Sequence, residues 1–110
     1  MRKKTLLVDF DGTLSQYTGW RGLTEVGPPI PNARKAMCLL ARHYKLICFS
    51  TRPAEIIEPW LRSHAFPEME VTNEKKPAHL IIDDRALLFG GEWTDALLQQ
   101  IKDFKPHWET

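Results

Sequence analysis

An α/β fold built on a parallel sheet is what this sequence predicts, and three observations predict it. Short apolar runs alternate with amphipathic stretches, the connections are mostly brief, and each apolar run ends in polar residues. Alternation of strand and helix favours parallel pairing, because a parallel partner is reached only through a crossover. The expected architecture is a three-layer sheet with helices on both faces. A length of 110 residues suffices for one packed core and not for two, so 1–110 reads as a single domain.

The first strand is Thr5-Leu6-Leu7-Val8, a short apolar run flanked by charge. A helix follows over 32–44, where Ala33, Ala36, Met37, Leu40 and Ala41 recur at helical spacing behind Pro31. Lys45 to Phe49 is the second strand, and 53–64 the second helix, with Ile56, Ile57, Trp60 and Leu61 on one face. Met69 to Thr72 reads as a short strand and His79 to Ile82 as the last one. The final helix, 94–104, carries Ala96, Leu97, Leu98 and Ile101.

One segment departs from this economy. Residues 15–31 form a loop containing Tyr17, Trp20, three glycines and three prolines, and it leaves directly from the first strand. Loops this long inside compact domains are usually functional, so 15–31 reads as a flap over a site.

Composition narrows the function. The apolar fraction of 43% and charged fraction of 26% are ordinary for a soluble chain, and no run approaches a membrane span. The apolar run behind Met1-Arg2-Lys3-Lys4 is too short for a signal peptide, so the expected location is cytoplasmic. Cys38 and Cys48 lie in apolar settings without CxxC spacing and read as reduced core thiols. A formal net charge of +1 supplies no general basic field for nucleic acid.

The strand ends carry the chemistry. Asp9 and Asp11 stand at i and i+2, so both point into one site while Phe10 faces the core; Gly12 permits a sharp turn. Ser50-Thr51-Arg52 follows the second strand and Asp83-Asp84 the last. In a parallel sheet, ligands bind outside the carboxyl ends of the strands, where these groups converge. Four carboxylates so placed repel unless a cation holds them, and oxygen donors without His or Cys suit Mg²⁺. His43, His64, His79 and His107 show no ligand spacing. Each motif alone also has a plain structural reading: a turn for the Asp pairs, a helix cap for Ser50, an exposed side chain for Lys76.

In order, Leu6-Leu7-Val8-Asp9-Phe10-Asp11-Gly12-Thr13-Leu14, Ile47-Cys48-Phe49-Ser50-Thr51-Arg52-Pro53, Lys76-Pro77 and Ile81-Ile82-Asp83-Asp84 match four motifs over nearly the whole chain. On these the sequence resembles the haloacid dehalogenase-like superfamily, a Rossmann-like group dominated by phosphatases. The resemblance implies a phosphomonoester hydrolase in which Asp9 forms an aspartyl-phosphate and Asp11 serves as general acid and base. It implies Mg²⁺ held by Asp9, the main-chain carbonyl of Asp11 and Asp84, with Asp83 behind it or ligating in its place and pairing with Lys76. Ser50, Thr51, Lys76, Gly12 and Thr13 become the phosphate contacts, with Lys75 the weaker candidate for the lysine.

Neither the stretch between Asp9 and Ser50 nor that between Ser50 and Lys76 has room for a cap domain, so the site is expected to be open to large or polymeric substrates. A nucleic-acid 3′-phosphatase is one alternative and would need a basic stripe from Arg52, Arg62, Arg85 and Lys75; a non-catalytic phosphate-binding module is another. Tyr17, Trp20, Trp93 and Trp108 read as core or partner anchors, or as stacking platforms. Arg85 grips a second phosphate or pairs with Asp83.

Overall fold

Parallel register decides this architecture. In the computed structural model, which describes residues 2–109, the sheet has the order β3-β2-β1-β4. Its strands are β1 (Lys4–Asp9), β2 (Tyr44–Phe49), β3 (Glu70–Thr72) and β4 (Leu80–Ile82), and all neighbours run parallel. The helices are α1 (Ala33–Leu40), α2 (Ala54–Ser63) and α3 (Asp95–Asp103). None of these helices is long and apolar enough to cross a membrane.

The element order agrees with the sequence expectation, and the largest boundary difference has a pairing cause. The first helix stops at Leu40, short of the expected 44, because Tyr44 already pairs with Lys4 as the first residue of β2. Residues 41–43 are consumed in the turn, where Lys3 Nζ donates to the Ala41 carbonyl at 3.0 Å.

Alternation along the strands sorts side chains between faces. Leu6, Val8, Leu46 and Cys48 share one face and cluster with Ala33 and Met37 of α1 and Ile57, Trp60 and Leu61 of α2. Phe10 continues that face beyond β1 and meets Trp60 edge-on at 4.9 Å. Cys48 is fully buried and free, as expected of a core thiol; burial, then the negative charge of Asp9 and Asp11, pushes it up to about 12.

Helices on both faces were expected, and here the structure differs. No residue of α3 is buried; Leu98 and Ile101 stay about half exposed although Thr94 caps the helix by accepting from Leu97 N at 3.1 Å. Leu80 and Ile81 of the edge strand β4 are likewise exposed. A radius of gyration of 15.0 Å fits an α3 that stands off the body, since a compact chain of this length has about 13 Å. The amphipathic pattern identified the helix correctly but could not tell whether its apolar side meets the sheet.

The core anchored on Phe10 positions the two residues flanking it. Phe10→Ala is expected to cost about 3–5 kcal/mol in urea denaturation, the range for emptying a buried aromatic site; a loss under 1 kcal/mol would mean that Phe10 is not part of this core.

Candidate active site

Strand register brings the polar ends together. Asp9 pairs with Phe49, so Ser50 follows at the same level, and Val8 pairs with Ile82, so Asp83 stands opposite Asp9. Because every strand is parallel, these residues emerge at one edge of the sheet. They line a crevice of about 270 Å³ with Asp11, Tyr17, Trp20, Phe49, Thr51, Asp84 and Arg85. A larger depression of about 660 Å³ lies between α2 and β3, but it contains none of the strand-end groups.

Asp9, Asp83 and Asp84 each offer a carboxylate oxygen, all within 4.8 Å of one another, an arrangement that could hold a metal ion. An all-oxygen donor set of this kind fits a hard cation. Electrostatics agree: burial, a hydrogen bond with Asp84 and the charges of Asp83 and Asp84 push Asp9 up from 3.8 to about 8. Burial also raises Asp84, but hydrogen bonds from Asp9 and Trp108 outweigh it and keep its carboxyl below the ordinary range. The Asp9–Asp84 pair therefore shares a proton, held where a cation would replace it.

Asp11 takes no part in that triad through its side chain. Its Oδ2 accepts from Arg52 Nε at 2.8 Å, and Arg52 is almost wholly buried. The same guanidinium donates from Nη1 to the Gly22 and Leu23 carbonyls and from Nη2 to the Glu25 carbonyl, with Trp20 against it at 4.7 Å. The flap over 15–31 is thus anchored from beneath. Its base is stitched by Ile30 N donating to the Leu14 carbonyl at 2.9 Å and Gln16 N to the Pro28 carbonyl at 2.7 Å, and Trp60 Nε1 donates to the Gly27 carbonyl at 3.0 Å.

The remaining expected contacts divide. Ser50 is buried in the crevice wall; its Oγ accepts from Arg52 N at 3.0 Å, which leaves its hydroxyl proton free to point at a ligand. Thr51 is exposed on the same wall. Gly12 and Thr13 serve the turn: their N–H groups donate to the Ser15 and Phe10 carbonyls, and Thr13 Oγ1 donates to Asp9 Oδ2 at 3.3 Å. Gly12 has φ +83°, and a methyl group there would collide with the Asp84 carboxylate.

Lys76 does not line the crevice. It pairs with Glu74 at 3.9 Å, and no ion pair with Asp83 is present among the described residues, contrary to the expected pairing. Lys75 is exposed and also lies outside the crevice lining. A Lys-Pro pair ahead of a strand carries no information about which way the lysine turns.

Two contributors were missed by sequence reasoning. Trp108 Nε1 donates to Asp84 Oδ2 at 2.5 Å and packs edge-on against Tyr17 at 4.8 Å, and His107 Nε2 lies 2.6 Å from the Gly12 carbonyl. Both come from the far end of the chain. No local pattern marks them, although Trp108 was among the candidate anchors.

No protein-family model matches the chain, and no curated protein matches it. One solved structure, described as "Structure of the conserved protein coded by locus from Bacteroides thetaiotaomicron", is similar, with a TM-score of 0.63 and 26% identity over 93% of this chain and 92% of that one. That likeness supports the α/β parallel-sheet fold.

Two measurements test the site. Removing the buried cation by Arg52→Ala leaves Asp11 and three flap carbonyls without their donor and is expected to cost about 3–5 kcal/mol by urea unfolding. The second concerns pH. A carboxyl with a folded pKa of about 8 against 3.8 unfolded favours folding below pH about 4 and loses that contribution as pH rises through about 8. The metal-free Tm should therefore fall across this window, and Mg²⁺ should raise Tm more at pH 8 than at pH 5; equal increments would contradict a shared Asp9 site.

Proposed function

We propose that this chain is a magnesium-dependent phosphomonoester hydrolase of the haloacid dehalogenase-like, Rossmann-like type, acting through an aspartyl-phosphate on Asp9. The observation that carries the reading is the convergence of the Asp9, Asp83 and Asp84 carboxylates at one sheet edge beside Ser50. A structural turn or cap explains each motif singly, but it does not explain why repelling carboxylates share one partly buried crevice.

Mg²⁺ held by the Asp9, Asp83 and Asp84 carboxylates, with the Asp11 main-chain carbonyl as a further donor, would supply charge neutralisation for the phosphoryl oxygens and keep Asp9 ionised. Asp9 then attacks phosphorus and the bond to the leaving oxygen breaks, dividing one hard displacement into two. Asp11 gives its proton to the leaving oxygen, and in the second half takes a proton from the water that attacks the aspartyl-phosphate. Arg52 grips only Oδ2, so Oδ1, which has a single long contact of 3.5 Å from Ser15 Oγ, is the oxygen available for this exchange. The Ser50 hydroxyl donates to the phosphoryl group. Lys76 would reach it only by leaving Glu74, which an exposed side-chain pair permits at little cost.

Shielding comes from Tyr17 and Trp20 of the flap, and no cap domain is present among the described residues. The basic stripe that a nucleic-acid 3′-phosphatase would need is incomplete, because Arg52 is buried and each of its three guanidinium nitrogens is already bonded within the chain. That favours a small substrate. Hydrolysis of a generic aryl phosphate should require Mg²⁺, vanish in Asp9→Asn and fall about 10²–10⁴-fold in Asp11→Asn. Full turnover by Asp9→Asn would refute the assignment of the nucleophile.

A further inference from the structure

We propose that Arg85 forms a subsite for a second anion, so that the substrate is a small phosphomonoester carrying an additional carboxylate or phosphate. This rests on the phosphohydrolase reading of the same crevice. Arg85 follows the Asp83-Asp84 pair directly and lines the crevice with Asp9 and Ser50. Sequence alone left two roles open for it, and pairing with Asp83 is not what the structure shows. The main-chain N–H of Arg85 donates to Asp83 Oδ1 at 2.9 Å, while its guanidinium turns away onto two rings. The guanidinium carbon lies 5.0 Å from the Trp108 ring centre and 5.8 Å from that of Tyr17.

Among the described residues, no carboxylate lies within ion-pairing distance of this guanidinium, and no hydrogen bond engages it. It is therefore a cation with its donors unspent, at the rim of a crevice suited to phosphate. Its support is itself held by contacts. Trp108 is fixed by its N–H to Asp84 and by Tyr17 at its edge, so the rings form a fixed platform. Stacking on aromatic faces leaves the edges of a guanidinium free, and those edges match carboxylate and phosphate oxygens in bidentate fashion. A platform of this kind lowers the ordering cost on binding.

Arg52 marks the contrast. It borders the same site, yet its donors are consumed by Asp11 and the flap. Arg62 faces the depression between α2 and β3. One free cation at the rim matches one extra anion and not a polymer backbone, which needs a run of cations.

Three probes on one carbon skeleton test this: glycerol 3-phosphate, 3-phosphoglycerate and glycerol 1,3-bisphosphate. Turnover with Mg²⁺ and calorimetric binding at about 0.15 M salt are read for the wild type, R85Q and R85K. The expected result is a preference of about tenfold or more in kcat/KM and affinity for one or both of the probes that carry a second anionic group, as a charge-assisted hydrogen-bonded pair gives. The carboxylate and bisphosphate arms separate the two sources. In R85Q the preference should fall to about one, while R85K keeps part of it.

Equal hydrolysis of all three, or a preference that survives R85Q, overturns the subsite and leaves the phosphohydrolase reading intact. Arg85-dependent binding without turnover does the reverse, and a chain that binds none of the probes loses both readings. Preference for a 3′-phosphorylated oligonucleotide over all three probes would overturn the small-substrate assignment.

Discussion

The buried guanidinium of Arg52 is the constraint on which the rest of this site depends. A cation out of water is tolerated only when its donors are satisfied, and Arg52 meets that demand with partners drawn from two parts of the chain. Asp11 at the end of β1 takes Nε, the flap carbonyls of Gly22, Leu23 and Glu25 take the two Nη groups, and Trp20 covers the face. Its own N–H orients Ser50 Oγ. One residue thus sets the position of a carboxylate and the path of the flap through its side chain, and the orientation of a hydroxyl through its main chain. A flap of such length would otherwise pay its ordering entropy with few apolar contacts to offset it.

Opposed to this satisfied charge is an unsatisfied one. Asp9, Asp83 and Asp84 gather where the sheet ends, and Asp9 holds its proton up to about 8 because burial and its neighbours penalise ionisation. Gly12 allows the approach, since no side chain fits between its backbone and Asp84. Trp108 supports Asp84 from outside with its indole N–H. The fold spends stability here to keep a set of hard oxygen donors assembled, as functional sites commonly do.

How far this was legible in the sequence follows from which contacts are local. Short apolar runs identified the strands, and because parallel pairing aligns strand ends, reading Asp9, Ser50 and Asp83 after those runs was enough to bring them together. Side-chain orientation was less accessible. Gly12 and Thr13 follow the nucleophile candidate immediately, yet the turn consumes their N–H groups. Lys76 turns toward Glu74, two residues away in sequence, a choice that spacing does not encode. Trp108 reaches Asp84 across 24 positions, and Arg52 reaches Asp11 across 41. A helical apolar stripe announced α3 without saying whether the sheet would receive it, and none of its residues is buried.

Arg52 and Arg85 show how one residue type divides two tasks at one site. Both lie against aromatic rings, Arg52 on Trp20 and Arg85 on Tyr17 and Trp108. Burial separates them: inside, each unmet donor carries a desolvation penalty, so the surrounding chain evolves to satisfy it and the cation becomes structure. At the rim, water satisfies the donors at no cost to the fold, and the charge stays available to a ligand that displaces that water. The aromatic contact then acts differently in each place. Under Arg52 the ring excludes solvent from bonds already made; under Arg85 it fixes the direction of bonds not yet made. A crevice holding four aspartates would reject an anionic substrate if both arginines were spent internally. Arg85 is the charge that the site keeps in reserve.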